Sequence, residues 1–155
     1  MKACVFIGTH NAILDEKSRL VLPAGFRKDN SETTLAGDFY ITPHQEGFLI
    51  ARPVEIWDAY INSIQTAEEL DGAQKRKFVR LLFNSSAKTR LDNQFRIVLN
   101  QSQRRSLLFD NEEARQKLVV VGCGDFIEVW PETKYRGEDD ATSELSGFID
   151  KFDGR

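Results

Sequence analysis

Two cysteines, two histidines and no long apolar run are what this 155-residue chain offers, and each scarcity closes off a class of function. Cys4 and Cys123 sit in apolar, strand-like sequence with no CxxC or Cys/His partner at metal-ligand spacing. Both thiols are therefore expected to be small buried hydrophobes, with no metal site. His10 and His44 accompany no Ser, Cys or carboxylate set that suggests a nucleophilic triad, and His44, in TPHQEG, is most simply a solvated turn residue. The pairs Glu68-Glu69 and Asp139-Asp140 lie in polar stretches, where the desolvation that raises a carboxylate pKa is not expected. Gly122-Cys123-Gly124 follows a Val-rich strand, but Ile127 takes the third small position of a dinucleotide fingerprint. No catalytic residue, cofactor or small-molecule substrate is predicted. The start, MKACVFIG, has an apolar stretch too short for a signal-peptide core. Nothing elsewhere reaches the roughly 18 apolar residues of a membrane span. The expectation is a cytoplasmic protein without a membrane partner.

Also missing is any Pro-rich or Gly/Ser-rich linker. With 41% hydrophobic residues the chain has enough apolar content for one compact core. Yet its halves repeat. ILDEKSRLVL at 13–22 returns as RLDNQFRIVL at 90–99. An offset of 77 places Leu14 on Leu91, Asp15 on Asp92, Arg19 on Arg96, Val21 on Val98 and Leu22 on Leu99. Further on, Phe48, Pro53 and Trp57 meet Phe126, Pro131 and Tyr135 at an offset of 78. A unit of about 75 residues supplies only a few kcal/mol from its own core, so the two copies are expected to share one.

Each copy follows one order of elements. Ile13-Leu14, a charged connection and Leu20-Val21-Leu22 give strand, turn, strand, repeated at Leu91 and Ile97-Val98-Leu99. Pro23 then suits a first helical position, while Asn100 with Gln103 forms a capping box at the matching place. Paired strands are predicted at Phe39–Ile41 and Phe48–Ile50, and at Val119–Val121 and Phe126–Trp130, the latter around a turn at Gly122–Asp125. Pro53 opens a helix with apolar positions Val54, Trp57, Tyr60, Ile61 and Ile64. Asp71 with Gln74 caps a second one containing Phe78, Val79, Leu81 and Leu82. A weak helix follows Trp130, and the acidic tail is expected to fray at its end. The fold class is α+β, with strands carrying the repeated loops.

The formal charge of −3 argues by itself against nucleic acid, but its distribution reverses that. From Gly137 onward six acids face Lys151 and Arg155, a balance of −4, which leaves +1 for the remainder. Residues 88–105 carry five basic side chains against Asp92 alone, and residues 15–28 carry four against two acids. Both repeated loops fall in these basic stretches. Asp15 and Asp92 are expected to accept bonds from their own turns, since a carboxylate repels phosphate. Arg19 and Arg96, at the ends of tight loops, suit bidentate donation to guanine or phosphate. Lys17, Ser18, Asn93 and Gln94 are polar neighbours fit for the same contacts.

FIG near the start, LDEKSRLVLPAGFR, KRKFVRLLFNSSAKTRLD, the second LDNQFRIVL and VVVGCGDFIEVW closely resemble the MraZ family, within the AbrB-like swapped-hairpin superfamily, over residues 6 to 135. The resemblance implies tandem AbrB-like units sharing one β-barrel-like core with flanking helices. The first repeat with its connecting helices would span 1–77, the second 78–137, and an acidic tail 138–155. It further implies a nucleoid-associated bacterial transcriptional regulator that assembles into a homo-oligomeric ring. Its partner would be double-stranded promoter DNA, in G-rich repeats upstream of the division and cell-wall gene cluster, contacted through Asp15, Lys17, Ser18, Arg19, Asp92, Asn93, Gln94 and Arg96. The chain departs from the family where its usual glycine before each Arg is Ser18 and Phe95, and where a closing proline is Asn100. Losing glycine removes easy access to positive φ, and Phe95 suggests that the second loop is partly packed, with a neighbouring subunit as one candidate surface. The competing reading is a ring-forming interaction or scaffold module without DNA contact, supported by the overall acidity, Phe95 and the tail.

Overall fold

The computed structural model describes residues 5–29, 37–107, 115–135 and 141–154; Cys4 and residues 137–140 of the acidic tail lie outside them. Within the described residues eight strands form one antiparallel sheet. They are β1 (Phe6–Leu14), β2 (Arg19–Val21), β3 (Asp38–Pro43), β4 (Leu49–Pro53), β5 (Ala87–Arg90), β6 (Arg96–Val98), β7 (Gln116–Gly124) and β8 (Ile127–Pro131). The lateral order is β5-β3-β4-β8-β7-β1-β2-β6. The sheet nearly closes into a barrel: the Thr89 hydroxyl of β5 donates to the Val98 carbonyl of β6 at 3.0 Å and accepts from the Val98 N–H at 3.2 Å.

The pairing follows the 77-residue repeat. β1 lies along β7 from Phe6 opposite Gly124 to Leu14 opposite Gln116, and β3 lies along β5 from Asp38 opposite Arg90. In both cases the first strand of one half pairs with the third strand of the other. β2 pairs with β6, and β4 with β8. The halves accordingly enclose a single core. Leu14, Leu20, Leu22 and Phe26 meet Leu91, Ile97 and Leu99 from the other copy, with Phe6, Leu118 and Ile127 beside them. Each such side chain contributes roughly 1.5–3 kcal/mol when fully buried.

Among the described residues six helices accompany the sheet: α1 (Ala24–Asp29), α2 (Val54–Gln65), α3 (Gly72–Ser85), α4 (Gln101–Ser106), α5 (Glu132–Tyr135) and α6 (Ala141–Asp153). Both sequence-derived capping boxes form: Asp71 with Gln74 opens α3, and Asn100 with Gln103 opens α4. They satisfy donors that a helix start otherwise leaves unpaired. On the outer face of β3 and β4, Trp57 of α2 stacks on Tyr40 at 4.6 Å, and Ile64 and Leu82 fill in behind. Arg52 lies buried between the rings of Tyr60 and Phe126, 3.9 and 5.9 Å from their centroids. Desolvation lowers its pKa, and the two π faces take the place of water around its charge.

Three local expectations need correction. β1 begins at Phe6, well before the predicted Ile13-Leu14, because polar Thr9 and Asn11 occupy its solvent face. Gly122, Cys123 and Gly124 belong to β7, so the predicted turn shrinks to Asp125 and Phe126. The tail, expected to fray, contains α6 through Asp153. Cys123 is half-buried, and desolvation, with Glu128 nearby, pushes its thiol up to about 11. The glycine at 122 has a steric reason: a Cβ there would stand 2.4 Å from the Ile7 nitrogen and the Phe6 carbonyl carbon. Gly122→Ala is expected to part β1 from β7 locally and cost about 1–3 kcal/mol, measurable by denaturant titration.

Candidate nucleic-acid interface

The two Asp-x-x-x-Arg loops are built alike, bond for bond. In the first, the Asp15 carboxylate accepts from the Lys17 and Arg19 N–H groups through Oδ1, both at 2.9 Å, and from Arg19 Nε through Oδ2 at 2.7 Å. In the second, Asp92 Oδ1 accepts from the Gln94 and Arg96 N–H groups at 2.9 and 2.8 Å, and Oδ2 from Arg96 Nε at 2.8 Å. The turns also close through matching backbone bonds, Ser18 N–H to the Asp15 carbonyl and Phe95 N–H to the Asp92 carbonyl, each 3.0 Å. The aspartates thus frame the turns, as their chemistry suggested.

Partial desolvation pushes each of these carboxyls up, but the combined bonds from Arg19 and Lys17, or Arg96 and Gln94, outweigh it. Both aspartates stay below the ordinary value of 3.8. Each carboxylate engages its arginine through Nε and leaves the two Nη groups without a contact among the described residues. A planar guanidinium held this way is oriented at one edge and open at the other.

Both loops use a left-handed residue at the position where glycine would be easiest: Ser18 at φ 62° and Phe95 at φ 61°. With a side chain at this position, each turn stores strain of roughly 1–2 kcal/mol. What holds these residues comes from the opposite copy. The Ser18 carbonyl accepts from Leu99 N–H and the Phe95 carbonyl from Leu22 N–H, both 2.9 Å. Arg104 of α4 donates through Nη1 to the Ser18 hydroxyl at 3.0 Å, while Arg27 of α1 stands over the Phe95 ring at 5.5 Å. Arg27 and Arg104 are equivalent under the 77-residue offset. Reading the sequence for loop chemistry alone misses this pair, although that offset carried past the loops would have aligned them. Thr89 is missed too, because its equivalent is Ala12.

Phe95 is packed, as suspected, but in its own chain: it joins the central core, 6% exposed. Phe95→Gly should lose that packing, about 3–5 kcal/mol for a buried phenylalanine, and regain only the strain. A net loss of about 1–4 kcal/mol is expected in a thermal or denaturant melt. Ser18→Gly exchanges strain relief for one bond from Arg104 and should come out near neutral.

β2 and β6 run antiparallel with Arg19 opposite Val98 and Val21 opposite Arg96. Leu20 and Ile97 point into the core, whereas Val21 and Val98 are exposed and share the outer face with both arginines. As diagonal neighbours across the ribbon, the arginines have backbones roughly 7–8 Å apart. Exposed Lys17, and exposed Asn93 and Gln94, flank the two ends of this face. All eight sequence-selected residues are thus gathered on one two-stranded ribbon and its turns. The histidines lie elsewhere. His10 packs edge-on to Phe26, and His44 stacks on Phe48 while its Nδ1 accepts from the Glu46 N–H. Among the described residues there is no cluster of three metal-ligating side chains, and no helix is long and apolar enough to cross a membrane.

The molecule is thus an α+β protein with a nearly closed eight-stranded antiparallel sheet and twin Asp-framed arginine loops on one ribbon. No family model matches it. It is 34% identical over 128 residues to the transcriptional regulator MraZ of Mesomycoplasma hyopneumoniae strain 7448, covering 83% of this chain and 80% of that protein. The MraZ protein of Nocardia farcinica is 36% identical over 126 residues, 81% and 80% of the two chains. That of Clostridium acetobutylicum is 24% identical over 147 residues, 95% and 96%. The chain belongs to the MraZ family.

Proposed function

We propose that this protein is a DNA-binding transcriptional regulator, not an enzyme, and that the β2/β6 ribbon is its reading element. The observation that carries the proposal is the pair of arginines on one face, each fixed through Nε and, among the described residues, open at both Nη groups. The DNA major groove is about 12 Å wide and admits a two-stranded ribbon. Two open Nη groups match the O6 and N7 acceptors of guanine, which suits G-rich sites. Val21 and Val98 between the arginines offer apolar contact to thymine methyls. Lys17, Ser18, Asn93 and Gln94 reach for phosphates, and Asp15 and Asp92 act through the arginines they hold.

One ribbon with two or three cations binds weakly. A ring homo-oligomer would present many ribbons to repeated promoter elements, and tethering raises avidity by about 10² to 10⁴. In this reading the units are tandem AbrB-like swapped hairpins, 1–77 and 78–137, followed by the tail 138–155. The sites are repeats upstream of the division and cell-wall genes, and the protein works in the cytoplasm, on the nucleoid. Relatives bearing the name transcriptional regulator support this.

Selection of bound fragments from random duplex DNA tests it, followed by titration at several salt concentrations. Enrichment of a G-containing repeat and a steep fall in affinity with salt are expected. No enrichment, with salt-insensitive self-association as the sole activity, would favour the scaffold reading instead.

A further inference from the structure

Strand β5 carries two exposed cations, Lys88 and Arg90, that lie outside both Asp-x-x-x-Arg loops. The strand register carries Arg90 onto the reading face. Asp92 N–H donates to the Arg96 carbonyl at 2.9 Å, and the next pair along, Leu91 and Ile97, is buried in the core. Strand alternation then turns the following pair, Arg90 and Val98, outward. The Thr89 hydroxyl, bonded to both backbone groups of Val98, holds β5 alongside β6 at this point. Val98 in turn lies opposite Arg19. Arg90, Val98 and Arg19 thus form one row across three strands on the outer face.

The 77-residue repeat supplies a second row for comparison. Leu14 pairs with Leu20, which puts Ile13 beside Val21, and Val21 lies opposite Arg96. The matching row is therefore Ile13, Val21 and Arg96. Ile13 stands where the first row has Arg90, and Asn11 where β5 has Lys88. Ile13 is 50% accessible, so this flank meets solvent without a charge. One strand further out, Lys117 stands opposite Ile13, while Asp38 stands opposite Arg90 and pairs with Lys88 at 3.6 Å. On the strands directly beside the ribbon, the positive charge is all on β5.

We infer that Arg90 holds a DNA phosphate at the rim of the groove that the β2/β6 ribbon enters. The inference rests on the ribbon as the reading element and adds a contact beside it. Neighbouring strands lie about 4.8 Å apart, so the Arg90 backbone stands roughly 10 Å from that of Arg19. The two strands of the ribbon fill a groove about 12 Å wide, and the third strand comes to its sugar-phosphate edge. A guanidinium there meets phosphate oxygens instead of base edges. The consequence is directional. The repeat makes Arg19 with Val98 and Arg96 with Val21 nearly interchangeable, so the ribbon alone has two similar ways to lie on a site. An anchor on one flank selects between them, and it stands at the end where the first loop, with Lys17, abuts β6 through the bond from Leu99 N–H to the Ser18 carbonyl.

The test titrates full-length wild-type, Arg90→Ala, Arg90→Lys and Ile13→Arg chains with the duplex enriched from random DNA and with a scrambled duplex of equal length, at several salt concentrations. Arg90→Ala should weaken binding to both duplexes by the same factor and lower the slope of log affinity against log salt by about 0.9 for each ribbon engaged. Its deficit should then be about 3.5-fold larger per ribbon at about 50 than at about 200 mM salt. Arg90→Lys keeps the charge and should recover most of the affinity and slope, while Ile13→Arg, which charges the bare flank, should steepen the slope by a similar amount. Melting transitions should coincide, because both side chains are exposed. Wild-type affinity and slope in Arg90→Ala, beside a loss of binding in Arg19→Ala, overturn the phosphate contact and leave the ribbon standing. An Ile13→Arg slope equal to the wild-type one overturns the placement of the flanks at the groove rim. A loss confined to the enriched duplex, with unchanged slope and no recovery in Arg90→Lys, makes Arg90 a base reader and also overturns the inference. A wild-type chain that binds neither duplex removes the ribbon and this contact together.

Discussion

Arg19→Ala is expected to lower affinity for a specific duplex by about one to two orders of magnitude per reading element, while leaving the fold intact. The range follows from the worth of a bidentate base contact, about 1–3 kcal/mol. The small stability effect follows from the geometry. Among the described residues the guanidinium makes one bond, to a carboxylate that keeps its two backbone donors when the side chain is removed. If Arg19 reads a base, discrimination between operator and random duplex should shrink; if it holds phosphate, both affinities should fall together with a shallower salt slope. Arg96→Ala should act in the same direction but less strongly. The loop frames are equal, and Phe95 is turned inward, so the remaining difference is charge: Lys17 stands where the second loop has Gln94. Binding titrations at two salt concentrations, with melts in parallel, check the order. Wild-type affinity in a folded, assembled Arg19→Ala protein would remove this ribbon as the reading element.

Asp15→Ala should show the reverse balance, losing stability first and binding as a result. It deprives the Lys17 and Arg19 N–H groups of their acceptor as well as freeing the guanidinium. Loss of a side chain that caps backbone donors costs about 0.5–2 kcal/mol, a few degrees of melting temperature in a domain of this size. Asp92→Ala should act in the same direction. Acid should reproduce the effect. A carboxylate whose folded pKa is depressed contributes stability at neutral pH and loses it as pH falls through the unfolded value and on through the folded one. With both aspartates lowered from 3.8, the loss begins near the ordinary aspartate value and deepens below it. An Asp15→Asn, Asp92→Asn double variant should melt with a flatter pH profile over that range. Equal profiles for variant and wild type would mean that the carboxylates do not tie the loops down.

The loops were legible in the sequence because their chemistry is local. An aspartate bonding residues two and four positions ahead needs no partner from elsewhere, so its spacing survives duplication intact. The capping boxes at Asp71 and Asn100 were legible for the same reason. The exchange of strands between halves was not readable from periodicity, since the alternation of β1 says which face is buried and nothing of the strand beside it. Only the resemblance carried that expectation. The length of β1 was missed because Thr9, His10 and Asn11 look like loop residues until one sees that Val119, Val120 and Val121 stand opposite them. Arg104 looked like one more basic surface residue. In the fold it is buried, and its partner Ser18 is 86 positions away.

The pairing of β1 with β7 also bears on synthesis. Leu14 waits for Gln116 and Phe6 for Gly124, so at about 5–20 residues per second the ribosome leaves a nine-residue strand without its neighbour for roughly 5–20 s. During that interval the nascent chain offers an unpaired edge with Phe6, Ile7, Ile13 and Leu14 on it. The polar Thr9, His10 and Asn11 in its middle interrupt what would otherwise be an aggregation-prone run. The composition that hid this strand from a reader of the sequence thus also guards it on the way out of the ribosome.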